Sequence, residues 1–323
     1  MKKLDFSDVL IEPGISLKPL TRGMVNITPN DYVPIIIANM VTTGTFDAAE
    51  IASKRKFITF LSKEYSIEEY VFNLIGIDKE YVGVTTGVRK KDVNKTLEIL
   101  QTYPDMGYVN IDIANVGANI DGMINAISNI RKKYKGKIVA GNVATVKMAE
   151  ILESAGADII KIGIGSGSAC LTRTEVGVGV PQLSAIMDIR AAVKIPIISD
   201  GGCVTAGDVC KAIAAGANYV MLGGMFASCK EFSEDGDYVD FFGLGSEKMY
   251  NNYVPTDKEY RPVEGRTLKV PVKNTMDSVM NQLEGALRSV CTYVGVDNIN
   301  DLHDKATFIE VNHQVNRSLE QYE

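Results

Sequence analysis

Eight short runs rich in β-branched residues, separated by segments with helical spacing, constrain this chain more than any other feature. The runs are VPIIIANM from Val33, FITFLS from Phe57, YVGVTTGV from Tyr81, YVNIDIA from Tyr108, KIVAGNV from Lys137, IIKIGIG from Ile159, PIISDGG from Pro196 and YVMLGG from Tyr219. Near-continuous apolar runs of this kind suit strands of a parallel sheet buried on both faces. Between them, Ile120, Met123, Ile127 and Ile130 recur at three- and four-residue steps, as do Met148, Ile151, Leu152 and Ala155. Each set makes one apolar helix face. Eight strand–helix units in about 250 residues predict an α/β fold, a (β/α)8 TIM barrel. A doubly wound sheet is the alternative. The even spacing of eight units favours the barrel, and the glycines after Ile162 do not form a G-x-G-x-x-G loop followed by an acid.

The 323 residues are then expected to form a single barrel domain, residues 1–323. One polar stretch, Lys230 to Arg266, lacks helical periodicity and reads as a long lid or binding loop, a flap over about 230–266. A hydrophobic share of 46% with 23% charged residues excludes a disordered or low-complexity chain. The net charge of -6 argues against a nucleic-acid binder. No run approaches the roughly 18 apolar residues of a membrane span. Asp5, Asp8 and Glu12 break up the N-terminal segment, so it does not read as a signal peptide. The five cysteines are odd in number and show no C-x-x-C spacing. A disulfide framework is therefore not expected, and a reducing, cytoplasmic location is. His303 and His313 are the two histidines, which leaves little for a multi-histidine metal site or a histidine-based triad.

In a barrel the chemistry sits at the C-terminal ends of the strands. Those ends carry Asn39, Asp112, Asn142, the loop Gly163 to Cys170, Asp200 and two glycine doublets, Gly201-Gly202 and Gly223-Gly224. Doublets after strands seven and eight match the usual barrel phosphate site, where backbone N–H groups hold an anion. Asp200, just before the first doublet, is placed to accept both hydroxyls of a ribose; the bland reading is a helix N-cap. Cys170 stands in a polar glycine loop beside Ser168, Thr172 and the cation Arg173, an environment that favours a nucleophilic thiolate. Cys203, Cys210, Cys229 and Cys291 lack such a setting and read as packing residues. The curved loop also offers carbonyls, at Gly165, Gly167 and Cys170, that suit a monovalent cation.

The segments GIGSGSACLTR, EVGVGVPQLSAI, IISDGGC, GDVCKAIAAGANYVMLGGMFA, EYRPVEGRT and LRSVCTYVG together resemble the IMP dehydrogenase / GMP reductase family, over nearly the whole chain from LDFSDVLIEP to TFIEV. Dehydrogenases of the family usually carry an inserted pair of CBS domains after strand two and an Arg-Tyr dipeptide in the flap. Here the chain passes straight from Lys63 towards the next helix, and no Arg-Tyr occurs. Glu264 in EYRPVEGRT, CTYVG from Cys291 and the TGTF that follows Ala38-Asn39-Met40 are similar to the reductase branch.

That resemblance implies reductive deamination of GMP to IMP with NADPH, through a covalent bond between Cys170 and C2 of the purine. Thr172 and Glu264 would handle the proton of the departing amine. It places the nucleotide against Ser168, Asp200, Gly201, Gly202, Gly223, Gly224, Gly243, Leu244, Gly245, Arg261 and Gly265. It places the cofactor along Lys63, Asp112, Ile113, Ala114, Tyr260, Ser289, Val290, Cys291 and Thr292. Thr21 and Arg22 would reach a neighbouring subunit's cofactor in a homotetramer. A potassium ion would take carbonyls from Gly165, Gly167, Cys170 and Arg173. Within this pattern the chain departs at Val41, where the family has an acid, and at Ser62 and Glu64, where imidazoles flank the lysine. Ser166 and Leu171 are further changes, and Gly243 to Ser246 is closer to the dehydrogenase sequence. Two other readings remain to be weighed: a dehydrogenase oxidising IMP to XMP with NAD, and a non-catalytic purine-nucleotide-binding barrel. A flavin-dependent barrel oxidoreductase is a weaker third.

Overall fold

In the computed structural model, which describes residues 2–253 and 262–311, the eight runs become the eight parallel strands of one closed barrel. A short strand, β1 (Val9–Ile11), precedes it. The barrel strands are β2 (Ile35–Ile37), β3 (Ile58–Phe60), β4 (Val82–Thr86), β5 (Tyr108–Asp112), β6 (Lys137–Val143), β7 (Ile159–Ile162), β8 (Ile197–Asp200) and β9 (Tyr219–Leu222). They follow chain order around the barrel, and β9 closes on β2 through Ile35↔Val220, Ile36↔Met221 and Ile37↔Leu222. The expected barrel, not the doubly wound sheet, is what forms.

Successive strand residues face opposite sides of a sheet, and here that alternation builds two cores. Ile36, Ile58, Phe60, Tyr108, Val139, Ile159, Ile198 and Tyr219 fill the barrel's interior. Their chain neighbours Ile35, Ile37, Val109, Ile138, Ile160, Ile197 and Val220 pack outward in the larger core shared with the helices. Helix Ile120–Arg131 buries Met123, Ile127 and Ile130 in that outer layer, while Ile120 stays partly exposed; helix Val146–Ser154 buries only Leu152 of the expected face, with Met148 and Ala155 packed partly buried beside the core and Ile151 outside it. The same period of two decides which polar residues enter the barrel. Asp112 follows Tyr108 by four residues, Lys161 follows Ile159 by two and Asp200 follows Ile198 by two, so all three turn inward near the strands' C-terminal ends.

The reading of Lys230 to Arg266 as one loop needs correction. Tyr238–Phe242 form β10, which pairs antiparallel with β11 (Thr267–Pro271), and Glu247–Asn252 form a helix capped by Ser246. Val239 and Phe241 are buried while Tyr238 and Asp240 are exposed. Phe241 packs with Ala169 and Ala227, which fixes this small sheet to the barrel rim. The apolar alternation is only a few residues long and sits among charged ones, so composition hid it. Tyr260 and Arg261 lie outside the described residues. A last strand, β12 (Phe308–Glu310), pairs antiparallel with β1.

Ile36 is fully buried in the barrel interior. Ile36→Ala is expected to cost about 2–5 kcal/mol through lost transfer energy and a residual cavity, read as a fall in the urea midpoint. Phe72→Ala, at an exposed position, is expected to change stability by about 0.5 kcal/mol or less.

Candidate active site

The loop after β7 is shaped by glycines that no other residue replaces without strain. Gly163 and Gly165 have φ of 155° and 78°, values favoured by glycine alone. A Cβ on Gly163 would stand 2.0 Å from the Asp200 carbonyl oxygen. The loop therefore lies directly against the end of β8. It turns tightly at Cys170, whose N–H donates to the Gly167 carbonyl at 3.0 Å, and leaves Cys170 only partly buried.

The Glu264 segment runs alongside this loop. Leu171 N donates to Glu264 O at 2.7 Å, Arg266 N donates to Ala169 O at 3.0 Å, and Cys170 and Gly265 pair as an antiparallel bridge. The Arg266 guanidinium adds two hydrogen bonds to the Ser168 carbonyl. This docking brings three functional side chains into one line. Cys170 Sγ lies 3.2 Å from Thr172 Oγ1, and Thr172 Oγ1 donates to Glu264 Oε2 at 2.8 Å. A threonine hydroxyl has one proton. Once that proton is given to Glu264, the remaining contact is a thiol donating to Thr172. Thiol, hydroxyl and carboxylate so form a one-way hydrogen-bond chain. Thr172 does not act as a helix cap, since Leu171 occupies that position.

Arg173 is placed differently from expectation. Its guanidinium pairs with Asp5 at 2.7 Å and bonds the Val180 carbonyl at 2.9 Å. The cation beside Cys170 in sequence is thus engaged elsewhere in space. Among the described residues no cluster of three or more His, Cys, Asp or Glu is arranged to hold a metal. The carbonyls of Gly165, Gly167, Cys170 and Arg173 belong to this loop and the short helix that follows it.

The glycine doublets stand where the sequence put them. Gly201 and Gly202 both have φ of 86°, and a Cβ on Gly201 would meet Ser166 Oγ at 2.7 Å and Gly167 N at 2.9 Å. A Cβ on Gly224 would lie 3.5 Å from Ser168 Oγ, and one on Gly243 would lie 3.0 Å from Ala169 O. The loops after β7, β8, β9 and β10 therefore converge around Ser168. Gly245 and Gly265 pack backbone to backbone, with Gly265 N donating to Gly245 O at 3.1 Å. Leu244 is exposed beside them.

Below this rim lies a buried charged cluster. Lys161 Nζ donates to Asp112 Oδ1 at 2.8 Å and to Asp200 Oδ2 at 2.7 Å. Asn39 donates to Asp112 Oδ2, and Asn142 donates to Asp200 Oδ2, both at 2.9 Å. Burial opposes the charge on Asp112, but the ammonium of Lys161, with Lys63 and Asn39, holds its carboxyl below the usual range. Burial likewise opposes the charge on Lys161, and the two carboxylates hold its ammonium above the usual range. Asp200 is not a helix cap; Thr205 caps the helix that follows. Lys161 had not been assigned to the site from sequence, and Asn39 and Asn142, which bond the two aspartates, had been placed only at strand ends, without a role. A lysine amid the apolar residues of IIKIGIG was the available signal, because a charge in a buried strand needs partners.

Lys63 acts electrostatically on Asp112 from the end of β3. Ile113 and Ala114 continue from Asp112 along the same rim. A cleft of about 850 Å³ opens between the ends of β2 and β3 and the β10–β11 sheet, lined by Val41, Thr42, Ser62, Glu64, Tyr238 and Asp240 among others. The remaining residues expected at a cofactor lie apart from these within one chain. Ser289, Val290, Cys291 and Thr292 lie on helix Met276–Val294, where Arg22 Nε donates to Ser289 Oγ at 2.8 Å. Thr21 is the neighbour of Arg22, and Cys291 is fully buried in the outer core. Among the described residues no hydrogen bond or ion pair joins this group to Lys63, Asp112 or Cys170.

Cysteine reactivity provides a direct check. Cys203, Cys210, Cys229 and Cys291 are buried, and desolvation pushes the thiols of Cys210, Cys229 and Cys291 up to about 12 and that of Cys203 well above its ordinary value. At pH ~8 a thiol with a pKa near 12 has only about one part in ten thousand as thiolate, the reactive form. Iodoacetamide on the folded protein is expected to add one label, on Cys170; five labels are expected after denaturation. Peptide mass mapping reads both.

The model of the IMP dehydrogenase / GMP reductase domain matches residues 3–318. Human GMP reductase 2 is 39% identical over 337 residues, covering 97% of this chain and 96% of the relative. A GMP reductase of Escherichia coli is 39% identical, covering 98% and 96%, and one of Onchocerca volvulus is 37% identical, covering 99% and 94%. The chain belongs to the IMP dehydrogenase / GMP reductase family.

Proposed function

We propose that this chain is a GMP reductase, converting GMP to IMP and ammonia at the expense of a reduced nicotinamide cofactor. The hydrogen-bond chain from Cys170 through Thr172 to Glu264 carries this reading, together with near full-length similarity to proteins named GMP reductase. The trio suits covalent chemistry with a proton relay, and a passive nucleotide binder has no use for it. The absence of an Arg-Tyr dipeptide disfavours the dehydrogenase.

Each step has a side chain to carry it. Cys170 passes its proton along Thr172 to Glu264 and attacks C2 of the purine. The proton returns through Thr172 to the 2-amino nitrogen, which leaves as ammonia, so Cys170 remains bound to C2 as a thioimidate. The nicotinamide cofactor, when bound, supplies hydride to C2. The C2–S bond then breaks, its electron pair returns to Cys170, and IMP departs with a new C2–H bond. A proton from solvent restores the thiol. Asp200 accepts from the ribose hydroxyls. The N–H groups of Gly201, Gly202, Gly223 and Gly224, with Ser168, receive the phosphate. Gly243, Leu244, Gly245, Arg261 and Gly265 complete the nucleotide's surroundings.

One observation on the cofactor side suits a nicotinamide nucleotide: Asn142 Oδ1 is buried with no partner among the described residues, which leaves an acceptor for an amide or hydroxyl donor. Lys63, Asp112, Ile113, Ala114 and Tyr260 would flank the cofactor, with NADPH the form the family resemblance favours. Thr21, Arg22 and Ser289 to Thr292 would serve a neighbouring copy's cofactor. Exposed Ile15, Leu17 and Met24 nearby in sequence support association with a further copy, and a homotetramer is the assembly the family resemblance favours. Among the described residues no helix is long and apolar enough to cross a membrane, and a cytoplasmic enzyme is the reading proposed. Carbonyls of Gly165, Gly167, Cys170 and Arg173 are neutral oxygen donors of the kind that suit potassium. Exchange of potassium for lithium is expected to slow turnover; equal rates in both salts would remove the ion from the proposal.

The decisive assay gives the protein GMP with NADPH or NADH, and separately IMP with NAD. IMP is expected from the first pair and no XMP from the second. XMP in the second with no IMP in the first would assign the dehydrogenase reaction, and no turnover of any purine nucleotide would leave a binding protein. Cys170→Ala is expected to abolish turnover and retain GMP binding, with the GMP-derived mass adduct lost from the Cys170 peptide. Glu264→Gln is expected to lower kcat about 10²- to 10⁴-fold, the usual range for a general acid–base group.

A further inference from the structure

The cluster beneath the rim contains one group that the proposed chemistry does not use. Lys161 is 2% exposed, and its side chain ends between carboxylates on two other strands. Asp200 is held unequally by this arrangement. Its Oδ2 receives both Lys161 and Asn142, whereas Oδ1 has no donor among the described residues and the side chain keeps 23% exposure. One oxygen is thus clamped from inside the barrel and the other is left for a ligand at the rim. The second carboxylate, Asp112, is clamped on both oxygens by Lys161 and Asn39.

We propose that Lys161 is a positioning residue for nucleotide binding: it clamps Oδ2 of Asp200, so that the free oxygen stays aimed at the ribose and accepts from it. This rests on the assignment of Asp200 to the ribose made above. An ammonium between two inward carboxylates offsets their mutual repulsion and supplies a hydrogen bond to each. The groups facing the pair are Lys161 from β7, Asn39 from the end of β2, Asn142 from β6 and the charge of Lys63 beyond β3. Lys63 acts on Asp112, so for Asp200 the compensating cation is Lys161. Exchange for a neutral side chain leaves two carboxylates together in a poorly solvated interior, and like charges so placed raise one of the pKa values. A protonated Asp200 is the poorer acceptor. Nucleotide binding would then weaken at lower pH and recover as pH rises through the raised pKa. In the wild type the Lys161 ammonium compensates both carboxylates and binding is expected to be flat.

The test is calorimetric titration of GMP into cofactor-free full-length protein between about pH 6 and pH 9, a window above ordinary carboxylate pKa values, with thermal melting alongside. Lys161→Gln is expected to bind GMP at least about tenfold more weakly than wild type at the lower end, the effect of a one-unit pKa shift, and to regain affinity with rising pH. Asp200→Asn is expected to bind weakly with no slope. Lys161→Gln that matches wild type within about twofold across the window overturns the proposal, whatever its melting temperature. Should Lys161→Gln fail to fold, the double variant Lys161→Gln/Asp112→Asn, which removes one carboxylate together with the cation, takes its place: Asp200 still loses its clamp, so GMP is expected to bind at least about tenfold more weakly than to wild type, and an affinity equal to wild type overturns the proposal. A wild type that binds no GMP, or Asp200→Asn that binds normally, removes the ribose assignment itself, an outcome distinct from a failure of Lys161 alone.

Discussion

Closure of β9 onto β2 is the constraint from which the site follows. Once eight parallel strands close in chain order, all their C-terminal ends meet at one mouth, whatever the distance between them in sequence. Asn39, Asp112, Asn142, Cys170 and Asp200 come together for that reason. The pleat then selects between inside and outside at every step, so a lysine two residues after Ile159 must enter the interior and find carboxylates there. A single-residue shift of register would turn Lys161 towards the helices and Ile160 towards Asp112.

The two parts of the site are held by different means. The side proposed for the nucleotide is built on the barrel itself, from glycine turns pressed against one another and a carboxylate clamped by buried donors. Such groups are set before any ligand arrives. The carboxylate proposed to handle the proton comes instead from outside the barrel, on the segment between β10 and β11. Glu264 is located by backbone hydrogen bonds to the Cys170 loop and by Phe241 packed on Ala169 and Ala227. Cys170 and Thr172 are thus supplied by one layer and completed by another, and the relay exists only when the two are docked.

What was legible in the sequence was mostly local. Eight apolar strands, two helix faces, paired glycines after β8 and β9, and a cysteine in a polar glycine loop each announce themselves within a few residues. Lys161 was not legible in that way, because its meaning depends on Asp112 and Asp200, which are 49 and 39 residues away. Arg173 misled for the converse reason: adjacent to the Cys170 loop in sequence, it swings to Asp5 at the N-terminus. β10 was hidden by its length, since two buried residues alternating with exposed ones make a weak pattern until Thr267–Pro271 supplies the partner strand. Long-range charge pairing and long-range strand pairing are what single-segment patterns cannot encode.

Three of the chain's departures from the family pattern share one wall of the barrel mouth. Val41, Ser62 and Glu64 all line the cleft between the ends of β2 and β3 and the β10–β11 sheet. That cleft carries the carboxylates of Asp47, Glu64, Glu69, Glu231, Glu234, Asp235 and Asp240 against the ammonium groups of Lys248 and Lys269, and Lys248 is itself paired with Asp240. On the opposite side, around Cys170, the nucleophile, its threonine, the flap carboxylate and both glycine doublets are retained. Ser166 and Leu171 change on this side too, so the departures fall on both sides of the mouth and spare the line from Cys170 through Thr172 to Glu264. In the reading proposed, bond-making at the purine runs through one hydroxyl with a fixed proton direction, and the side chains on that path are the ones it constrains. Leu171 meets the flap through its backbone N–H, which donates to the Glu264 carbonyl, so its side chain can differ while the docking is kept.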